Sequence, residues 1–121
     1  MPKKIINLTQ HQASAEQIEA GVFNLPEDSI LKDALTFNAL PTKANIERRA
    51  QLITGIALTH EATHAMIGGA PYLMGALERL LKEAGIQPLY SFTERVSVEK
   101  KGENGEIIKT SVFQHKGWVE T

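Results

Sequence analysis

The chain has 121 residues, a formal net charge of -1, 42% hydrophobic residues and no cysteine. That length suits one domain with one core, and the missing thiols exclude disulfide scaffolds, thiolate zinc sites and thiol catalysis. The near-neutral balance argues against a long nucleic acid or an anionic membrane as partner, while leaving room for a small phosphate ligand.

The opening "MPKKIINLTQ" has Ile5-Ile6 as its only apolar stretch, too short for a signal peptide. No window approaches the ~20 apolar residues of a membrane span. The expectation is a single cytoplasmic domain over 1–121. Lys4 to Leu8 reads as a buried strand that ends in polar Thr9-Gln10-His11. Ser14 starts a helix with a glutamine three residues on, the capping-box spacing, and Gly21 stops it. "VFNL" (22–25) reads as a second short strand halted by Pro26. The stretch 27–41 is ambiguous: a helical turn from Asp28, then a short extended "LTFN".

Thr42 is the next helix cap, and Ile46, Ala50, Ile53 and Ala57 recur at helical spacing. "THAMIGG" (63–69) reads as a buried strand ending in two glycines. Pro71 opens a helix to Glu83 with Leu73, Ala76, Leu77, Leu80 and Leu81 on one face and Gly85 as its stop. "IQPLYSF" (86–92) is the next strand. "RVSVEKK" and "EIIKTSVF" flank the Gly102–Gly105 turn signal of a β-hairpin. Strands alternating with helices predict an α/β fold: a Rossmann-like three-layer sandwich with a mostly parallel sheet and a C-terminal β-hairpin.

His60-Glu61-Ala62-Thr63-His64 matches the H-E-x-x-H pattern, in which two histidines one helical turn apart hold zinc and the glutamate polarises water. That reading needs the helix to run unbroken past His64, with a third ligand from Glu78, Glu83 or His115. The same residues also read as a helix C-terminus running into a strand that begins near His64. The second reading is preferred and assigns no metal.

In an open parallel sheet, ligands sit at the carboxyl ends of the strands. The residues expected there are Thr9, Gln10 and His11 after the first strand, Gly68, Gly69 and Ala70 after the third, and Ser91, Thr93 and Arg95 after the fourth. Glycines let a ligand approach the backbone, and the next helix N-terminus offers N–H groups to phosphate. The hydroxyls donate, Arg95 carries a planar fork, and His11 brings an imidazole suited to proton transfer. Each has a plainer use in a turn, a cap or a surface pair; their convergence on one sheet edge favours a small anionic or nucleotide ligand.

With those residues in place, the chain resembles the small CRISPR-associated ring-nuclease type proteins, relatives of the CRISPR-associated Rossmann-fold ligand-sensing domains. The resemblance runs through "TQHQASAEQ", through the segment from His64 to Glu99, and through the tail with Lys109, Phe113 and His115. It departs at Ala70, where a polar or acidic residue is commoner. It implies a homodimer that binds a cyclic oligoadenylate second messenger. It further implies cleavage without metal or other cofactor, the messenger's own 2′-hydroxyl attacking the adjacent phosphate. His11 and Arg95 would then serve the chemistry, with Thr9, Gln10, Gly68, Gly69, Ala70, Ser91 and Thr93 binding the ligand. A non-catalytic sequestering module would use the same residues, and a zinc hydrolase would use His60, Glu61 and His64.

Overall fold

The computed structural model describes residues 3–26 and 29–121. In chain order the elements are β1 (Ile5–Leu8), α1 (Ala15–Glu19), β2 (Val22–Phe23), α2 (Ser29–Leu35), α3 (Lys43–Thr59), β3 (His64–Ile67), α4 (Pro71–Glu83), β4 (Gln87–Lys101) and β5 (Ile107–Glu120). The strands form one sheet in the order β2-β1-β3-β4-β5, parallel except that β5 runs antiparallel to β4. The fold is α/β with a mostly parallel sheet and a C-terminal hairpin.

All four residues of β1 are buried, the mark of a central strand covered on both faces. Alternation splits them. Ile6 and Leu8 join Ala65 and Ile67 of β3 under Leu31 and Leu35 of α2, Ile53 and Ala57 of α3, and Leu73, Leu77 and Leu81 of α4. Ile5 faces the other way with Val22, Met66 and Leu89, covered by Ala13 and Trp118. The cover is lopsided, since α1 is five residues long and buries none of them.

Three expectations shift. The strand expected over 22–25 is only Val22–Phe23. The extended "LTFN" is not a strand: Leu35 closes α2, and the Thr36 hydroxyl donates to the Lys32 carbonyl at 2.7 Å as a helix-end turn. The proposed helical start at Asp28 lies outside the described residues. The largest difference is at β4. The strand expected to stop at Phe92 and the hairpin strand expected from Arg95 are one strand, because "TER" holds no glycine or proline to break it. β3 pairs with β4 only from His64↔Gln87 to Met66↔Leu89. Beyond that the ribbon is two-stranded, turning at Gly102–Glu106 with Gly105 at φ 81°.

α3 starts where Thr42 accepts from the Asn45 N–H, and ends at Thr59 with His60 as cap. The Glu61 N–H donates to the Leu58 carbonyl at 3.0 Å and the Ala62 N–H to the Ala57 carbonyl at 3.2 Å, a Schellman closure. This closure places Glu61 at φ 55°, the left-handed region that favours glycine. His60 therefore caps a helix while His64 opens β3, and the two do not share a helix face. Left-handed backbone costs a side-chain-bearing residue about 1–2 kcal/mol, partly offset by glycine's freer unfolded state. Glu61→Gly should raise unfolding stability by about 0.5–1 kcal/mol in urea titration.

His64 gives a second prediction. Its pKa lies below the ordinary 6.5, first through burial and next through Lys3, with Glu120 opposing. A folded pKa below the unfolded one means that the unfolded chain binds the proton more readily. The contribution is intact above about pH 6.5 and is lost as pH falls through the folded value. Urea midpoints at pH 7.5 and pH 5 should therefore fall further apart in the wild type than in His64→Gln.

Candidate functional site

The strand order sets where a ligand site can form. From β1 the chain crosses through α1 to β2 on one side, and from β3 through α4 to β4 on the other. Connections diverge between the carboxyl ends of β1 and β3, the switch point at which open α/β sheets leave a crevice. A cleft of about 760 Å³ lies there. It is lined by the loop after β1 (Thr9 to Gln12), the turn after β3 (Gly68 to Ala70) and the β4 segment with Tyr90, Ser91 and Thr93. Ser14 and Gln17 of the α1 turn, with Phe113 and His115 of β5, close one side. A smaller hollow of about 400 Å³ touches the same loop from the Asn24–Pro26 side.

The first loop is shaped by Asn7, buried to 5% exposure inside the apolar run of β1. Its Oδ1 accepts from the Thr9 N–H at 3.0 Å and the Thr9 hydroxyl at 2.7 Å. Its Nδ2 donates to the His11 carbonyl at 2.7 Å and to Asn24 Oδ1 at 2.8 Å. Asn24 Oδ1 also takes the Ala13 N–H at 2.9 Å. One buried amide thus fixes the path from Thr9 to Ala13 and sets His11 at the cleft edge. Gln10 donates to the Thr36 hydroxyl at 3.0 Å, tying that loop to the segment after α2.

The capping box of α1 reaches further than a cap. Gln17 Oε1 accepts from the Ser14 N–H at 2.9 Å, and Ser14 Oγ accepts from the Gln17 N–H at 3.2 Å. The remaining Gln17 donor, Nε2, reaches Ser91 Oγ at 3.1 Å. Ser91 Oγ lies 2.6 Å from His115 Nδ1, and the His115 backbone N–H donates to Glu16 Oε2 at 2.9 Å. Local helix chemistry therefore positions a Ser–His pair contributed by two other elements.

At the turn after β3, Gly69 has φ 152°, where a side chain would be strained. α4 begins at Pro71 with no side chain capping it. An uncapped helix N-terminus at a cleft wall attracts negative charge through its free amides and dipole. No carboxylate and no lysine or arginine lines the cleft among the described residues. The Tyr90 phenol is pushed up to about 12, first by burial and then by its hydrogen bond to the Glu78 carboxylate. It stays protonated at neutral pH.

The structure thus brings Thr9, Gln10, His11, Gly68, Gly69, Ala70, Ser91 and Thr93 together in one cleft. Arg95 is not among them. It lies further out on the ribbon, paired with Phe113 and stacked 5.2 Å from that ring's centre. The expected strand end at 91–95 is mid-strand, so two further residues carry Arg95 beyond the cleft wall. Asn7, Gln17 and Tyr90 were missed. For Asn7 the one sequence signal is an amide between buried aliphatics.

Open α/β sheets bind small ligands in the crevice at such a switch point, which makes this cleft, with no carboxylate, lysine or arginine in its lining among the described residues, the candidate site. The chain belongs to the uncharacterized protein MJ1673 family, whose profile matches residues 3–119. No curated protein and no solved structure matches it.

Proposed function

We propose that the switch-point cleft binds a cyclic oligoadenylate second messenger and opens its ring without a metal, as in the CRISPR-associated ring nucleases the sequence resembles. The observation that carries this reading is the convergence of three strand-end segments, with glycine backbone at an uncapped helix N-terminus, on one cleft with an imidazole at its edge. Phosphate would meet the Gly68–Ala70 backbone and the Thr93 hydroxyl, with Thr9 holding the loop through Asn7, while adenine would lie against Tyr90 and Phe113. His11 would take the proton of the attacking 2′-hydroxyl. Arg95 has no part in bond breaking on this reading, since it stands outside the cleft.

The reading includes a Rossmann-like three-layer arrangement with α1 as the thin third layer, a cytoplasmic setting and a homodimer. A lone two-stranded ribbon is marginal in water, and this one exposes Ile107, Ile108, Val112 and Phe113, which favours a second copy against it. Among the described residues no helix is long and apolar enough to cross a membrane.

The test is incubation with cyclic tri-, tetra- and hexa-adenylate, with and without chelator, read by product analysis and calorimetry. The reading expects chelator-insensitive cleavage of one ring size. Gly68→Ala adds a methyl in ordinary contact with Thr9 Cγ2, 3.5 Å away, so it should fold normally yet weaken binding about tenfold. Binding without product would leave a sequestering module; no binding of any ring would overturn the proposal.

A further inference from the structure

Resting on that reading, we propose that His115 is the second acid–base group of the cleft, donating the proton that the leaving 5′-oxygen needs while His11 serves as base. The placement of His115 depends on an irregularity in the ribbon. Ser91 pairs with Trp118 and Phe92 with Gly117, but Thr93 pairs with His115, so Lys116 is an extra residue on β5. In unbroken register Lys116 would face Thr93 and His115 would fall on the opposite side of the ribbon. The bulge reverses this. It puts His115 on the side of Ser91, with its ring 4.4 Å from that of Trp118, centre to centre.

Once there, the ring is held from behind. Ser91 Oγ is 2.6 Å from Nδ1 and itself accepts from Gln17 Nε2. The serine hydroxyl can donate to a neutral Nδ1 or accept from a protonated one, so it supports both charge states. Nε2 is left for a ligand. With Nδ1–H on Ser91, Nε2–H can pass its proton outward and the ring ends neutral without changing its inner bond. This is the arrangement a general acid requires.

The balanced step is as follows. The 2′-oxygen forms a bond to phosphorus as its proton moves to His11. The bond from phosphorus to the 5′-oxygen breaks, and that oxygen takes the Nε2 proton of His115. The products are a 2′,3′-cyclic phosphate and a 5′-hydroxyl, and a water-borne proton exchange resets the two imidazoles. Ser91 and Gln17 are positioning residues. The ionisable groups on elements around His115 are Glu16 and Glu19 of α1, Tyr90, Glu94 and Arg95 of β4, Lys116 of β5, and His11 across the cleft.

The test uses whole protein under single turnover from pH 5 to 9 with cyclic tetra-adenylate. A second substrate carries sulfur in place of the bridging 5′-oxygen, a leaving group that needs no proton. His115→Gln should slow oxygen-substrate cleavage by about 10²–10³, remove the alkaline fall of the profile and keep binding within a few-fold. The sulfur substrate should restore that variant to near wild-type rate, which loss of fold would not allow. Ser91→Ala should slow cleavage about tenfold, with Ser91→Thr recovering the rate. His115→Gln cleaving like the wild type, or failing to recover with sulfur, would overturn the proposal. Wild-type binding without cleavage would overturn it too, while leaving the binding reading intact. Absence of any binding would remove both.

Discussion

Asn7→Leu is expected to lose about 2–3 kcal/mol of unfolding stability and to weaken cleft binding at least tenfold. The side chain is of similar size, so packing changes little and the loss is electrostatic. Four hydrogen bonds disappear together: two into Oδ1 from Thr9, and two out of Nδ2 to His11 and Asn24. Leaving partly buried donors and acceptors without partners costs about 1–3 kcal/mol each, reduced here because the loop can turn some of them to water. That release is what should harm binding, since the loop holding Thr9 and His11 loses its template. Asn7→Asp keeps the one acceptor that takes both Thr9 donors but sets a carboxylate oxygen against the His11 carbonyl and Asn24 Oδ1. It should be more stable relative to wild type at pH 4, where a protonated carboxyl can donate again, than at pH 7. Urea titrations at both pH values and calorimetry of bound nucleotide would check this. An Asn7→Leu protein with wild-type stability would mean that the loop shapes itself.

Leu77→Ala should have the larger effect on stability alone, about 3–4 kcal/mol. Leu77 is fully buried in α4, in the cluster that joins Ile6 and Ile67 of the sheet to Ile53 of α3. Removing its branched end leaves a cavity that close-packed neighbours fill only in part. The denaturation midpoint should fall with little change in slope, because the surface exposed on unfolding is nearly the same. Below the transition, nucleotide affinity should stay close to wild type, since Leu77 does not line the cleft. A loss under about 1 kcal/mol would show a core that collapses around the deletion. The two variants together separate the scaffold from the loop it carries.

These contrasts reflect what was legible in the sequence. α4 runs from Pro71 to Glu83, the span its periodicity and flanking residues predict, because proline at the first turn and glycine past the last act locally. The capping box at Ser14 and Gln17 was equally local. The residues at the ends of β1 and β3 were found because burial and chain direction place them at one edge. What could not be read is what depends on pairing between distant segments. The run of β4 through Thr93 and Arg95 depends on β5 being there to pair with it. A single extra residue, Lys116, decides which side of the ribbon His115 occupies; Gly117 beside it, at φ 156°, is a local mark of a bulge, but the register that the bulge changes depends on β4. The second use of Gln17, as donor to Ser91 from 74 positions away, is likewise a product of tertiary structure.

The central claim is that the crevice between the carboxyl ends of β1 and β3 is where an oligoadenylate ring binds. The most direct measurement is an amide NMR titration of the whole protein with cyclic tetra-adenylate. Saturable shifts should cluster at 9–12, 68–72, 90–93 and 113–115, and in Gly68→Ala the same shifts should need about tenfold more ligand to saturate. Shifts confined to the α3 C-terminus around His60, or spread evenly without saturation, would contradict the account.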